Sequence, residues 1–255
     1  MSYMVGGFDY IWEIFFLTLL VGAFAQLIDG ALGMAYGVIS NTFLLAIGIT
    51  PAVASASIHT AEVFTTLASG TSHLKVGNVD RKLFKQLVVP GCIGAIVGAY
   101  LLVDMPIWLM KPAVNIYLCT MGIVILFRAF NINLIVKKVN KPFLAGIGGF
   151  MDAIGGGGWG PIVTSTLIAE GNDPVEAIGS VNLAEFFVTL CETLTFFVLI
   201  GFQNFFIVLG LMIGGVIIAP LGAVVCRRAP KKYLMPIIGI LIMFLSVRNL
   251  IVLNI

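Results

Sequence analysis

The chain has 255 residues, 60% of them hydrophobic and only 10% charged, against about 25% charged in a soluble domain. With a mean hydropathy of +1.09, its polar surface is too small to cover a soluble globule, which points to an integral membrane protein. The net charge of +2 comes without any large basic tract, so no nucleic-acid partner is expected.

The first 13 residues carry Asp9 and Glu13 but no Lys or Arg, so they do not read as a secretory signal. Residues 10–48 are apolar but interrupted around residues 29–37. Residues 51–74, 84–103 and 107–130 then read as helices of spanning length, for which about 20 residues are needed. A polar linker follows at 131–141, with Asn131, Asn133, Lys137, Lys138, Asn140 and Lys141. Residues 142–170 are again apolar and interrupted, around residues 152–160, and spans at 174–200, 203–226 and 233–252 complete the chain. Four successive glycines, Gly155 to Gly158, each cost about 1 kcal/mol relative to Ala in a helix interior. Pro161 suits the first turn of a new helix. The pieces on either side are too short to span alone, so residues 142–170 read as two half-helices meeting inside the membrane. Non-helical backbone at that depth is tolerated only inside protein or along a cavity.

The second interruption repeats the first. Asp29-Gly30-Ala31-Leu32-Gly33-Met34-Ala35-Tyr36-Gly37 returns as Asp152-Ala153-Ile154-Gly155-Gly156-Gly157-Gly158-Trp159-Gly160. At the same offset Pro51 falls on Pro174, Ser57 on Ser180, His59 on Asn182 and Glu62 on Glu185. A duplicated chain with broken, polar segments at matching places has the pattern of a secondary transporter. Twelve of the fourteen basic residues fall in three clusters: Lys75, Arg81, Lys82 and Lys85; Arg128, Lys137, Lys138 and Lys141; Arg227, Arg228, Lys231 and Lys232. Lys111 and Arg248 remain. All three clusters face the cytoplasm if each broken segment enters and leaves on one side. The expected fold is therefore an all-α polytopic membrane protein of two inverted repeats, each a broken or re-entrant helical hairpin plus three transmembrane helices, about eight membrane segments. The halves are 1–130 and 142–255, joined by a cytoplasmic linker at 131–141.

Candidate functional residues follow from polarity at depth. An ionised carboxylate in hydrocarbon costs at least about 2.5–3.5 kcal/mol, so Asp29 and Asp152 read as coupling or gating groups, or as caps on the second half-helices. Helix starts inside a membrane offer unpaired N–H groups and a positive dipole end, hence an anion site. Gly30, Gly33, Gly37 and Gly155, Gly156, Gly157, Gly158 would allow close backbone approach to that anion, or simply close helix packing. Tyr36 and Trp159 line the pathway or seal the turns. Ser57, His59, Thr60, Ser180 and Asn182 are candidate binding groups. Glu62 and Glu185 join the Asp pair as coupling groups, since positions i and i+3 put His59 with Glu62 and Asn182 with Glu185. His59 can exchange a proton near neutral pH, whereas Asn182 cannot. His73 and Glu192 sit nearer segment ends and have a weaker case. Cys92, Cys119, Cys191 and Cys226 stand singly as small apolar residues. There is no phosphate loop or metal spacing, so no cofactor or metal is expected.

These residues together resemble the TauE/SafE, or sulfite exporter, family over nearly the whole chain. The resemblance rests on residues 22–37, Gly77-Asn78-Val79-Asp80, the glycines of 91–98, residues 148–160, residues 180–185, and the glycines of 214–222 with the basic turn after them. It implies a non-enzymatic, multi-pass carrier in the cytoplasmic membrane of a prokaryote. Its partners are the bilayer and a small sulfur-containing anion: sulfite, sulfoacetate or a related organosulfonate. An anion beside four carboxylates would be repelled unless some bind protons, which suggests proton coupling. A carrier of a cation or another organic anion is the alternative, and an intramembrane aspartyl protease built on Asp29 and Asp152 is a remote one.

Overall fold

The computed structural model describes residues 8–130, 138–226 and 231–252. Asn131, Asn133 and Lys137 of the linker and Arg227 and Arg228 of the third basic cluster lie outside the described residues. The described chain is all-helical. Its first half holds α1 (Phe8–Leu32), α2 (Tyr36–Ala46), α3 (Pro51–Lys75), α4 (Arg81–Asp104) and α5 (Ile107–Ala129). The second holds α6 (Lys141–Gly155), a π-helical turn (Gly160–Thr164) running into α7 (Ser165–Ala169), then α8 (Pro174–Ile200), α9 (Phe205–Val225) and α10 (Lys231–Val252).

The helix starts are written locally. Pro51 and Pro174 open α3 and α8, where the missing N–H costs nothing. Asp80 Oδ1 accepts from Lys82 N at 2.7 Å to cap α4. Asp173 Oδ1 accepts from Val175 N at 2.9 Å to cap α8, and Asn140 Oδ1 accepts from Phe143 N at 3.2 Å to cap α6. These side chains satisfy N–H groups that the helix itself leaves open.

Among the described residues five helices are long and apolar enough to cross a membrane: Ile11–Leu32, Arg81–Asp104, Ile107–Phe127, Pro174–Ile200 and Phe205–Val225. This set differs from the sequence expectation in two places. The first interrupted segment contains a full-length helix, because α1 runs through Asp29 to Leu32. α3 has the length, at 25 residues, but not the apolarity, because Ser55, Ser57, His59, Glu62, Thr65, Thr66, Ser69 and His73 all turn inward. α10 runs over the 22 residues of Lys231–Val252, and Gly239–Ile251 within it is apolar. α2 and the Gly160–Ala169 piece are short; at 1.5 Å per residue they reach about 15 Å, half a hydrocarbon core.

The packing runs opposite to that of a soluble protein. Val89, Ile93 and Val97 of α4 and Leu194, Phe197 and Val198 of α8 are exposed, while polar side chains such as Thr65, Ser69 and His73 are buried within an otherwise apolar interior. Lipid offers helices no hydrophobic gain on association, so contact relies on small residues and close backbones. Gly30 of α1 lies against Gly222 of α9, where an added Cβ would come within 2.9 Å of the Gly222 Cα. The main pairings are α1 with α9, α4 with α6, α3 with α8, α5 with α10, α4 with α8 and α3 with α9. Exchanging α1 for α6, α3 for α8, α4 for α9 and α5 for α10 returns the same set. Val139, just before α6, donates its N–H to Glu170 Oε1, just after α7, at 2.5 Å. The start of α6 and the end of α7 are therefore neighbours.

Candidate functional site

Each break is three residues long, Gly33 to Ala35 and Gly156 to Gly158. Gly156 (φ 62) and Gly157 (φ 149) take backbone conformations closed to most L side chains. The two Asp residues do not open the breaks; each lies in the last turn of the preceding helix. From there Asp152 reaches across, its Oδ1 accepting from Gly158 N at 2.5 Å and Trp159 N at 2.9 Å. Asp29 has the backbone of Tyr36, the matching residue, as a hydrogen-bond partner. The helix starts that could hold an anion are thus already engaged by a carboxylate of the chain itself. Among the described residues no hydrogen bond joins Asp29 to Asp152.

The two breaks touch. A Cβ on Gly37 would come within 2.6 Å of Gly157 Cα, and one on Gly160 within 2.5 Å of Met34 Cα and 2.6 Å of Gly33 O. These are the same contact seen from either half. Gly156 lies against the Asn41 side chain, and Gly155 and Gly158 against Tyr117. The glycines around the breaks therefore bring backbone onto backbone and ring. Tyr36 and Trp159 are buried and seal the junction: Tyr36 Oη donates to Leu211 O at 3.0 Å and Trp159 Nε1 to Val181 O at 3.2 Å. The ends of the first arms are held by α3, where Ser55 Oγ donates to Ala153 O at 2.7 Å and His73 Nε2 lies 3.1 Å from Gly30 O.

Beside this junction, α3 and α8 bring ionisable groups together. His59 Nδ1 lies 2.7 Å from Glu62 Oε2 and 3.0 Å from Glu192 Oε2. His59 and Glu192 are both 0% exposed, and the His59 ring stacks on Phe196 at an interplanar angle of 3°. Glu185 is in electrostatic reach of Asp29, Glu62, Asp152 and Glu192. The equivalent neutral contact is Ser69 Oγ donating to Asn182 Oδ1 at 2.7 Å. Between the two, Thr66 and Thr189, identical residues at the repeat offset, meet at 3.5 Å.

The remaining sequence candidates are engaged elsewhere. Ser57 Oγ and Thr60 Oγ1 donate to carbonyls four residues back in their own helix, Val53 O at 2.7 Å and Ala56 O at 2.6 Å. Ser180 Oγ accepts from Asp80 N at 2.8 Å and ties α8 to the turn before α4. Glu192, given a weak case from its distance along the segment, sits at the centre. The usable signal was helical phase: Glu192 follows Glu185 by seven residues, two turns, on the same face. The repeat did not flag it because its counterpart is Ser69.

Five carboxylates and one imidazole in an apolar interior cannot all be charged at once; unpaired buried charge is too costly. Asp152 Oδ2, Glu192 Oε1 and His59 Nε2 are buried without a hydrogen-bond partner among the described residues. Ligand atoms of His59, Asp152 and Glu192 lie within 4.8 Å of one another, close enough to share protons or hold a small cation. Sequence spacing could not show this grouping, because the three residues come from three helices.

Helices of spanning length with apolar exteriors, wrapped around a buried ionisable centre at two helix breaks, define a multi-pass membrane transporter. The family model described as "Sulfite exporter TauE/SafE" matches residues 18–249. The chain is also 43% identical over 242 residues to the "Probable membrane transporter protein YtnM" of Bacillus subtilis (strain 168), covering 91% of this chain and 81% of that one. The chain belongs to the TauE/SafE sulfite exporter family. No solved structure matches it.

Proposed function

We propose that this protein is a secondary carrier in the cytoplasmic membrane. It moves a small sulfur-containing anion (sulfite, sulfoacetate or a related organosulfonate) together with protons, by alternating access between two inverted halves. The halves are residues 1–130 and 142–255, joined by the linker at 131–141, and each is a broken or re-entrant helical hairpin plus three transmembrane helices. The exchange of helix pairings between halves and the Val139–Glu170 bond, which joins the start of α6 to the end of α7, support that architecture.

The carrying observation is the bond from Gly158 N and Trp159 N to Asp152 Oδ1. An ionised Asp152 is a tethered anion sitting where a free one would bind. On protonation it becomes a poorer acceptor, and the two N–H groups at the positive helix end turn to the cargo. Cargo and proton then bind together. His59, Glu62, Glu185 and Glu192 form the buried reservoir from which the proton comes. The family description supports the anion, and the absence of an Asp29–Asp152 bond among the described residues favours a carrier over an aspartyl protease.

The test is flux of radiolabelled sulfite and sulfoacetate into proteoliposomes under an imposed pH gradient. The wild-type chain should couple flux to the gradient. Asp152→Asn should lose coupled flux, and Asp29→Asn should weaken it. Normal transport and unchanged pH dependence in both variants would sink the reading. Uptake competed by cations but not by anions would replace the cargo.

A further inference from the structure

The two basic residues outside the three clusters, Lys111 and Arg248, come together in the fold. Lys111 lies in the first turns of α5 and Arg248 in the last turns of α10. With Asn115, Asn249, Ala46 and Gly48 they line a cavity of about 170 Å³ beside the end of α2. On that measure one water needs roughly 10–15 Å³, so several waters or one small oxyanion fit. The cavity is at the far end of α4 from Arg81, Lys82 and Lys85, a helix of 24 residues away.

Its chemistry suits an anion. Neither Lys111 nor Arg248 forms an ion pair with a described residue. Arg248 Nη1 donates to Ala46 O at 3.3 Å, which sets the guanidinium against the cavity; among the described residues most of its five N–H donors have no other partner. Two amides deepen the site: Asn115 is 2% and Asn249 7% exposed. Asn115 Nδ2 donates to Lys111 O at 2.9 Å, while Asn115 Oδ1 and Asn249 Nδ2 have no partner. A buried amide left unpaired costs about 1–3 kcal/mol, so these atoms call for a polar occupant. Two cations and a free N–H donor select a negatively charged one.

We propose that this cavity is a second anion site, separate from the helix breaks, which gathers the cargo anion at the membrane face opposite the basic clusters. That assignment of face rests on the topology under Proposed function; the anion chemistry of the cavity does not. Lys and Arg are disfavoured on the non-cytoplasmic side of a membrane protein, so two that converge there on buried unpaired amides have a binding role.

Calorimetric titration of sulfite and of methanesulfonate into the full chain in nanodiscs tests it. The Lys111→Gln, Arg248→Gln double variant should bind both anions about tenfold or more weakly, and the charge-keeping Lys111→Arg variant should bind near normally. Wild-type affinity should fall with added salt. Unchanged affinity in the double variant, or no binding of either anion by the wild-type chain, overturns the site. A wild-type chain that binds both anions and transports neither sinks the carrier reading and leaves this site standing.

Discussion

On one side of the molecule His59 of α3 faces Glu192 of α8 at 3.0 Å; on the other Asn182 of α8 faces Ser69 of α3 at 2.7 Å. Residues 59 and 182 correspond in the repeat, as do 69 and 192, and the Thr66–Thr189 contact lies between the pairs. The two halves thus build one geometry twice with different chemistry. The Asn–Ser pair is a neutral hydrogen bond that holds α3 to α8 at any pH. The His–Glu pair holds the same helices through groups that exchange protons. Duplication supplies the frame, and two substitutions give one side of it an imidazole–carboxylate pair.

The frame itself should be the most sensitive part. Gly157→Ala places a methyl against the Val38 N–H and the Gly37 backbone, at φ 149. Backbone atoms cannot move aside cheaply, so a loss on the order of 3 kcal/mol or more is expected, read as loss of monodisperse protein or a collapsed thermal transition in detergent. A Gly157→Ala variant with wild-type thermal stability would mean that the two breaks are not in contact.

The asymmetric pair can be tested by making the halves alike. His59→Asn alone leaves Glu192 buried without its partner and should destabilise by roughly 3–5 kcal/mol. His59→Asn combined with Glu192→Ser copies the Asn182–Ser69 pair and should recover much of that stability. The double variant should also show flux that no longer responds to an imposed pH gradient. Full pH response in a stable double variant would mean that Asp152 draws its proton from Asp29, Glu62 or Glu185 and not from this pair. Thr66→Val removes only the contact between the pairs and a bond to its own helix at Glu62 O; about 1 kcal/mol is expected by thermal melting, with pH dependence unchanged. Ser57→Ala and Thr60→Ala should be smallest, within about 0.5 kcal/mol and near-normal flux, since both hydroxyls bond within α3. A large transport loss in either would return them to the site.

Several parts of this picture were legible in the sequence for clear physical reasons. The break at Gly155 to Gly158 followed from helix propensity, and its copy at 29–37 from the repeat. Glu62 beside His59 followed from i,i+3 spacing. Other parts were not legible. Ser180 looked like a site residue because it matches Ser57, yet its hydroxyl binds the backbone of Asp80, a hundred residues earlier in the chain. Glu192 looked marginal because position along a segment is a poor guide to depth once two helices pack face to face. The glycines read as a ligand cradle or as packing, and in the structure Gly37, Gly157 and Gly160 bring backbone onto backbone.

By itself the sequence determined a membrane-embedded helical chain, a repeated segment, the positions of its two breaks and the polar faces of α3 and α8. Composition, glycine runs and helical phase act locally, so they can be read from neighbours along the chain. Only the tertiary structure decided what those residues meet. It set Asp152 on the N–H groups of Gly158 and Trp159, Glu192 on His59, and Lys111 beside Arg248 at the end of α2. These contacts join residues from different helices, and in a lipid solvent, where apolar burial gives helices little reason to associate, such polar and backbone contacts are what select one packing.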